Sequence, residues 1–135
     1  MTFKITTLFV TLCLFLTLTF PMKAAAPWLD DTIVVDPKNY LSYKFWSPTN
    51  QEVVKINGSF RARGGQRNDI IVLVMDEDGF ENWRNGNRAD FYYNSGQVTV
   101  GKVNLTLKPG NYYLVFSNSF SIFSNKSVKI TFDLE

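Results

Sequence analysis

Histidine is absent from the 135 residues, and cysteine occurs once, as Cys13. The commonest general base and any thiol nucleophile beyond Cys13 are therefore missing, and no disulfide can close within the chain. Glycine and proline number only 8 and 5, and the sequence shows no repeats, coiled-coil heptads or low-complexity linker. Charge of one sign is lacking too. Taking Lys4 and Lys23 of the first segment from the 14 basic residues leaves 12, equal to the 12 acidic ones. A neutral balance argues against nucleic acid as a partner, because that binding needs a net basic surface to release counterions. Apolar runs are short, with one exception at the start of the chain.

That exception spans residues 5–20, an uncharged apolar stretch preceded by Lys4 and broken by Pro21, Met22 and Lys23. Ala24, Ala25 and Ala26 follow as small residues for a peptidase. The layout is that of a secretory leader over residues 1–26. The run is short for a membrane span, which wants roughly 20 apolar residues. Cleavage after Ala26 places Pro27 next, and cleavage after Ala25 places Lys23 three back, so an uncleaved anchor stays open as a second reading. Only in that reading does the chain touch a membrane. Leu12 before Cys13, inside the apolar run, excludes a lipoprotein signal. The expectation is a secreted or extracytoplasmic protein, in periplasm, at a cell surface or in a secretory lumen. Residues 27–135 then form one domain.

Within that domain, alternation dominates. Val54, Ile56, Gly58, Phe60 and Ala62 share one parity, against Lys55, Asn57, Ser59, Arg61 and Arg63. Val128, Ile130, Phe132 and Leu134 repeat the pattern, as do Leu41, Tyr43 and Phe45. Such segments are strands with one face on a core. Residues 70–75 are continuously apolar, as in a strand buried on both faces. Val98 and Val100 share one parity but Val103, Leu105 and Leu107 the other, which predicts a β-bulge at Gly101–Lys102. Turn signals are Ser47-Pro48-Thr49-Asn50, Gly64-Gly65, Asn94-Ser95-Gly96 and Lys108-Pro109-Gly110. One short helix fits residues 77–85. The fold class is all-β: an antiparallel sandwich or jelly roll of about eight strands. Twelve Phe, six Tyr and three Trp supply the apolar area that disulfides do not.

Residues 109–135 carry a recognisable run. Pro109-Gly110-Asn111-Tyr112-Tyr113 leads an aromatic strand through Phe116 to a stop at Asn118. Phe120-Ser121-Ile122-Phe123-Ser124-Asn125-Lys126-Ser127-Val128 then links to the closing strand. This run resembles the end of the GOLD domain of the emp24/gp25L/p24 family. The cysteine that the family places near Val115 is missing, and no coiled coil, membrane span or sorting tail follows Glu135 in this sequence. The resemblance therefore implies a β-sandwich used to bind protein or cargo, as in stand-alone exported GOLD-like proteins, and not coat sorting. Gly110, Tyr112, Phe116, Asn118, Phe120, Phe123 and Lys126 are its structural residues. By chemistry, Phe116, Phe120 and Phe123 anchor a crossing into the core, Asn118 satisfies loop backbone groups, and Lys126 pairs with a carboxylate or a loop carbonyl.

Candidate sites lie in the connections. Trp83, Arg84, Arg88, Tyr92 and Tyr93 place aromatic plates beside polar groups and could hold a sugar or a peptide; the competing reading is rings plugging the sandwich end. Asp76, Asp78 and Glu81 could hold a cation, or simply suit a helix N-terminus. Arg61, Arg63 and Arg67 around Gly64-Gly65 form either an anion- or sulfated-glycan-binding hairpin tip or an exposed polar turn. Asn57, Asn104 and Asn125 stand in glycosylation sequons. A carboxylate pair such as Asp76 with Asp90 could in principle cleave glycosides, but nothing in the sequence sets the separation that the reaction requires. The sequence implies no cofactor and reads as a non-catalytic binding module for a protein or glycan. The alternatives are a structural cell-surface or envelope protein and a small carboxylate-dependent glycosidase.

Overall fold

The computed structural model describes residues 26–47 and 50–135. The leader expected over residues 1–26 lies outside the described residues except for Ala26, as do Pro48 and Thr49 of the first turn signal. Eight strands and one helix follow in order: β1 (Leu29–Val35), β2 (Tyr40–Trp46), β3 (Val54–Arg63), β4 (Ile70–Asp76), α1 (Glu77–Arg84), β5 (Tyr93–Val98), β6 (Val100–Leu107), β7 (Asn111–Ser117) and β8 (Lys126–Leu134). Two four-stranded antiparallel sheets face each other. Sheet A has the order β1-β8-β3-β6 and sheet B the order β2-β7-β4-β5. Every connection except β4–α1–β5 steps from one sheet to the other, which is the double Greek key of a jelly roll. Among the described residues no helix is long and apolar enough to cross a membrane.

The alternating residues do what their spacing demands. Ile56, Phe60 and Ala62 of β3, and Val128, Ile130 and Phe132 of β8, point into the space between the sheets, where they meet Phe45, Val72, Val74, Leu114 and Phe116 of sheet B. Two glycines make room for rings in that layer. A Cβ on Gly58 would overlap the Phe132 ring, and one on Gly101 would overlap the Phe60 ring. Each aromatic lies over a glycine of the neighbouring strand, a known device for keeping glycine in a sheet.

Strand β4 is buried on both faces, as its apolar run predicts. Leu73 and Met75 turn away from the main core into a second cluster with Val115, and Phe80 of α1 covers them. Phe80 stacks on Tyr113 at 4.0 Å between ring centres. The helix starts where Asp76 accepts a hydrogen bond from the Gly79 N–H at 2.7 Å, and it carries Glu77 and Asp78 in its first turn. It ends at Asn85 with Gly86 at φ 75°.

Three expectations need correction, and one strand was not foreseen. No bulge lies at Gly101–Lys102; β6 pairs with β3 without interruption from Val100 to Leu107. The parity slip arises because the chain changes sheet at Thr99, so Val98 faces the core from sheet B while Val100 faces outward from sheet A. The Ala62 N–H donates to the Thr99 carbonyl at 2.7 Å and fixes this corner. Asn94-Ser95-Gly96 is not a turn. It is a bulge inside β5, where Ser95 and Gly96 oppose the single residue Val72, whose N–H donates to Ser95 Oγ at 2.8 Å. Gly64-Gly65 is not a hairpin tip either, because β3 and β4 belong to different sheets and the turn arches across the sandwich end. Finally, β1 is a strand that the alternation pattern did not single out.

Candidate functional site

The connection between β4 and β5 holds the aromatic and arginine residues first singled out, but the fold distributes them over different surfaces. Trp83 lies on the outer face of sheet B, against Tyr40 at 4.9 Å and Phe80 at 6.3 Å between ring centres. Arg84 pairs with Glu81 at 2.7 Å and crosses the Phe80 ring. Hydrogen bonds from Arg84 and Asn85 hold the Glu81 carboxyl below its ordinary value of 4.5. Tyr93 packs from the inner side against the main core. Tyr92 is half exposed at the sandwich end, edge-on to Tyr112 at 5.6 Å, and Arg88 is exposed. These five residues line no common surface; Trp83 and Tyr93 serve packing on opposite faces of one sheet.

The acidic residues are likewise committed. Asp76 caps α1, Glu81 pairs with Arg84, and Asp78 is an exposed residue of the first turn. Among the described residues no three His, Cys, Asp or Glu side chains converge to hold a metal ion.

The other end of the sandwich is built differently. There the β1–β2 turn, the β3–β4 turn and the β7–β8 loop over residues 118–125 lock together. Asn118 is fully buried. Its Nδ2 donates to the Val35 carbonyl at 3.0 Å and the Ser124 carbonyl at 2.8 Å, while its N–H donates to Asn39 O at 2.9 Å. Its Oδ1 is buried with no partner among the described residues. The Lys38 N–H reaches both Asn118 O and Ser121 O at 3.1 Å. Lys126, 2% exposed, donates to Asp69 Oδ1 at 2.7 Å and to the Gly64 carbonyl at 2.9 Å, and its ammonium lies 5.6 Å from the Phe120 ring centre. Gly64 sits at φ 119°, and a Cβ there would overlap the Asn125 carbonyl oxygen. The turns approach closely enough for only a glycine to fit.

The residues of the family-like run therefore sort by role. Phe116 is buried in the core, and the buried Tyr112 closes the β6–β7 turn by donating its hydroxyl to Lys108 O at 2.6 Å. Gly110 is exposed in that turn, where its carbonyl accepts from the Ser47 N–H. Asn118 and Lys126 hold loop carbonyls, and Lys126 holds a carboxylate as well, as their chemistry predicts. Phe120 is partly buried against Lys126. Two expected core anchors do not reach the core: Phe120 belongs to neither core cluster, and Phe123 is 90% exposed, beside Ile122 at 63%. The loop is pinned at Asn118 and Lys126, and the residues between the pins swing outward, so the Phe123 ring has no core to enter. A shallow groove of about 410 Å³ runs along this loop, lined by Gln66, Arg67, Gln97, Phe120, Ile122 and Phe123 among others. Sequence reading treated Ile122 as part of the link and missed it as a surface residue. The available signal was two large apolar residues between Ser121 and Ser124 in a stretch with no alternation.

Neither a family model nor a curated protein matches the chain.

Proposed function

We propose that this is an exported, non-catalytic binding module of GOLD-like build that recognises a protein through the inter-strand loops at the Asn118–Lys126 end of its sandwich. The observation that carries the reading is the 90% exposure of Phe123, next to Ile122, on a loop held by buried hydrogen bonds. Large apolar side chains that stay in water cost free energy, and burying each is worth about 1.5–3 kcal/mol. A loop already fixed in shape loses little further entropy on docking. Arg67 on the groove wall adds a cation at the rim, where an acidic group of the partner would be recognised. The leader-like residues 1–26 support export, and the absence of His together with a thiol confined to that leader supports a non-catalytic role.

The test is site-specific photo-crosslinking in the producing cells, with a photoreactive phenylalanine analogue at position 123. A discrete adduct is expected, lost when Ile122→Ser is added and absent when the analogue replaces Thr106 on the outer face of sheet A. The same adducts from positions 123 and 106 would refute the reading.

A further inference from the structure

The outward side of sheet A carries four cations in one neighbourhood: Arg61, Arg63, Lys102 and Lys129, all exposed. Arg61 of β3 stands directly opposite Lys129 of β8. Arg63 follows opposite Ser127, and Lys102 of β6 lies opposite Ser59. Like charges placed directly across a ladder destabilise a sheet, yet among the described residues no ion pair joins any of these four to an acid. The ion pairs among the described residues are Lys44–Glu77, Arg84–Glu81 and Lys126–Asp69, and all lie elsewhere. The acids of this face are Asp30 on the edge strand β1, which accepts a hydrogen bond from Thr131, Asp133 opposite Asn57 in a depression that it lines together with Lys102, and Glu135 beside Lys55 at the strand end. Two adjoining depressions of about 360 and 240 Å³ share Arg61 and Lys129 and so form one trough. Ser59, Thr131, Thr32 and Ser127 add hydroxyls to its walls, and the half-exposed Val100 beside Gly101 adds an apolar stretch.

We infer that this trough binds an anionic polysaccharide, a chain of sulfated or uronic sugars. Neighbouring strands lie about 4.8 Å apart and alternate residues about 6.6 Å apart, so the cations recur at intervals suited to a polymer bearing a charge on each sugar. The hydroxyls suit the sugar hydroxyls between those charges. Among the described residues no aromatic ring is exposed on this face for bases to stack on, which disfavours single-stranded nucleic acid. No residue is shared with the loop-end site, so each proposal stands or falls alone.

The experiment measures binding of the full chain to heparin and to polygalacturonate, with neutral dextran and oligo(dT) as comparators. The two polyanions are expected to bind with affinity that falls as salt rises, and dextran is not. Arg61→Gln with Lys129→Gln should weaken binding about tenfold or more. Lys55→Gln with Lys108→Gln removes the same charge outside the trough and should leave affinity unchanged. Lys129→Glu sets an opposite charge against Arg61, so it should abolish binding while melting no lower than the unaltered protein. That result separates lost recognition from lost folding. Absence of binding to both polyanions, equal losses in the two double variants, or tighter binding of oligo(dT) would overturn the inference.

Discussion

Removal of the Asp69 carboxylate tests the packing at the loop-bearing end most directly. The side chains of Lys126 and Asp69 are 3% and 9% exposed and meet at 2.7 Å. In Asp69→Ala the ammonium keeps only the Gly64 carbonyl at 2.9 Å and the face of Phe120, both uncharged. Breaking one side of a buried pair costs about 3–5 kcal/mol, since the remaining charge stays desolvated. Domains of this kind have roughly 5–15 kcal/mol in total, so the variant gives up a large share of its stability. At about 4 °C per kcal/mol for a domain near 100 residues, the melting temperature falls by roughly 12–20 °C. The double variant Asp69→Leu with Lys126→Met removes both charges. It should recover most of the loss, short of about 1 kcal/mol for the Gly64 carbonyl left without its donor. Urea unfolding followed by tryptophan fluorescence reads both effects, and an unchanged m-value confirms that the same surface is exposed on unfolding. A loss below about 1 kcal/mol in the single variant would refute the argument, as would a double variant no better than the single one. Hydrogen exchange adds a local check: the Lys38 and Ser121 amides, held in the adjoining turns, should exchange faster in the single variant.

Three further outcomes follow from the same geometry. Gly58→Ala drives a methyl group into the Phe132 ring and the Thr131 carbonyl oxygen, and should cost about 1–3 kcal/mol in chemical denaturation. Asn118→Ala leaves the Val35 and Ser124 carbonyls without their donor; a loss of about 1–3 kcal/mol is expected, with protease cleavage appearing first within residues 118–125. Burial raises the pKa of Tyr43, Tyr93 and Tyr112 above the ordinary 10.0, Tyr43 with help from Asp31 and Tyr112 from Tyr92 and Asp76. The unfolded chain therefore ionises first. Their contribution is complete below pH 10 and declines as pH rises through the folded-state values. Ultraviolet titration of the native protein should show late-ionising tyrosines, and stability should drop above pH 10.

Much of the architecture could be read from residue order alone, because parity is a local property. The alternation in β3 and β8, the doubly buried β4 and the helix after Asp76 each follow from a few adjacent residues. Sheet membership is not local. The slip after Val98 has the same signature whether the chain bulges or crosses to the other sheet, and only the pairing partners distinguish the two. Strand β5 was obscured because Asn94-Ser95-Gly96 has turn chemistry yet forms a bulge. In β1, Val34 is apolar but faces outward, which blurs the alternation. The pins at Asn118 and Lys126 were legible from side-chain chemistry, an amide suited to loop backbone groups and an ammonium suited to a carboxylate or carbonyl. The display of Phe123 was not, since its exposure depends on how the two pins bend the loop between them. The basic trough was half visible: Arg61 and Arg63 were noted, but Lys102 and Lys129 join them only through the ladder, while Arg67 departs to the far rim.

The position of β8 has a consequence for how the protein is made. This strand lies between β1 and β3, so two of the three seams in sheet A stay open until residues 126–134 have been synthesised. The first strand waits for a partner nearly a hundred residues downstream, with Ile33 opposite Val128. Assembly of sheet A is therefore a late and slow event dominated by distant pairings. Residues 126–134 act as the latch of the molecule, and a stop codon placed before them should yield an aggregation-prone fragment rather than a smaller domain.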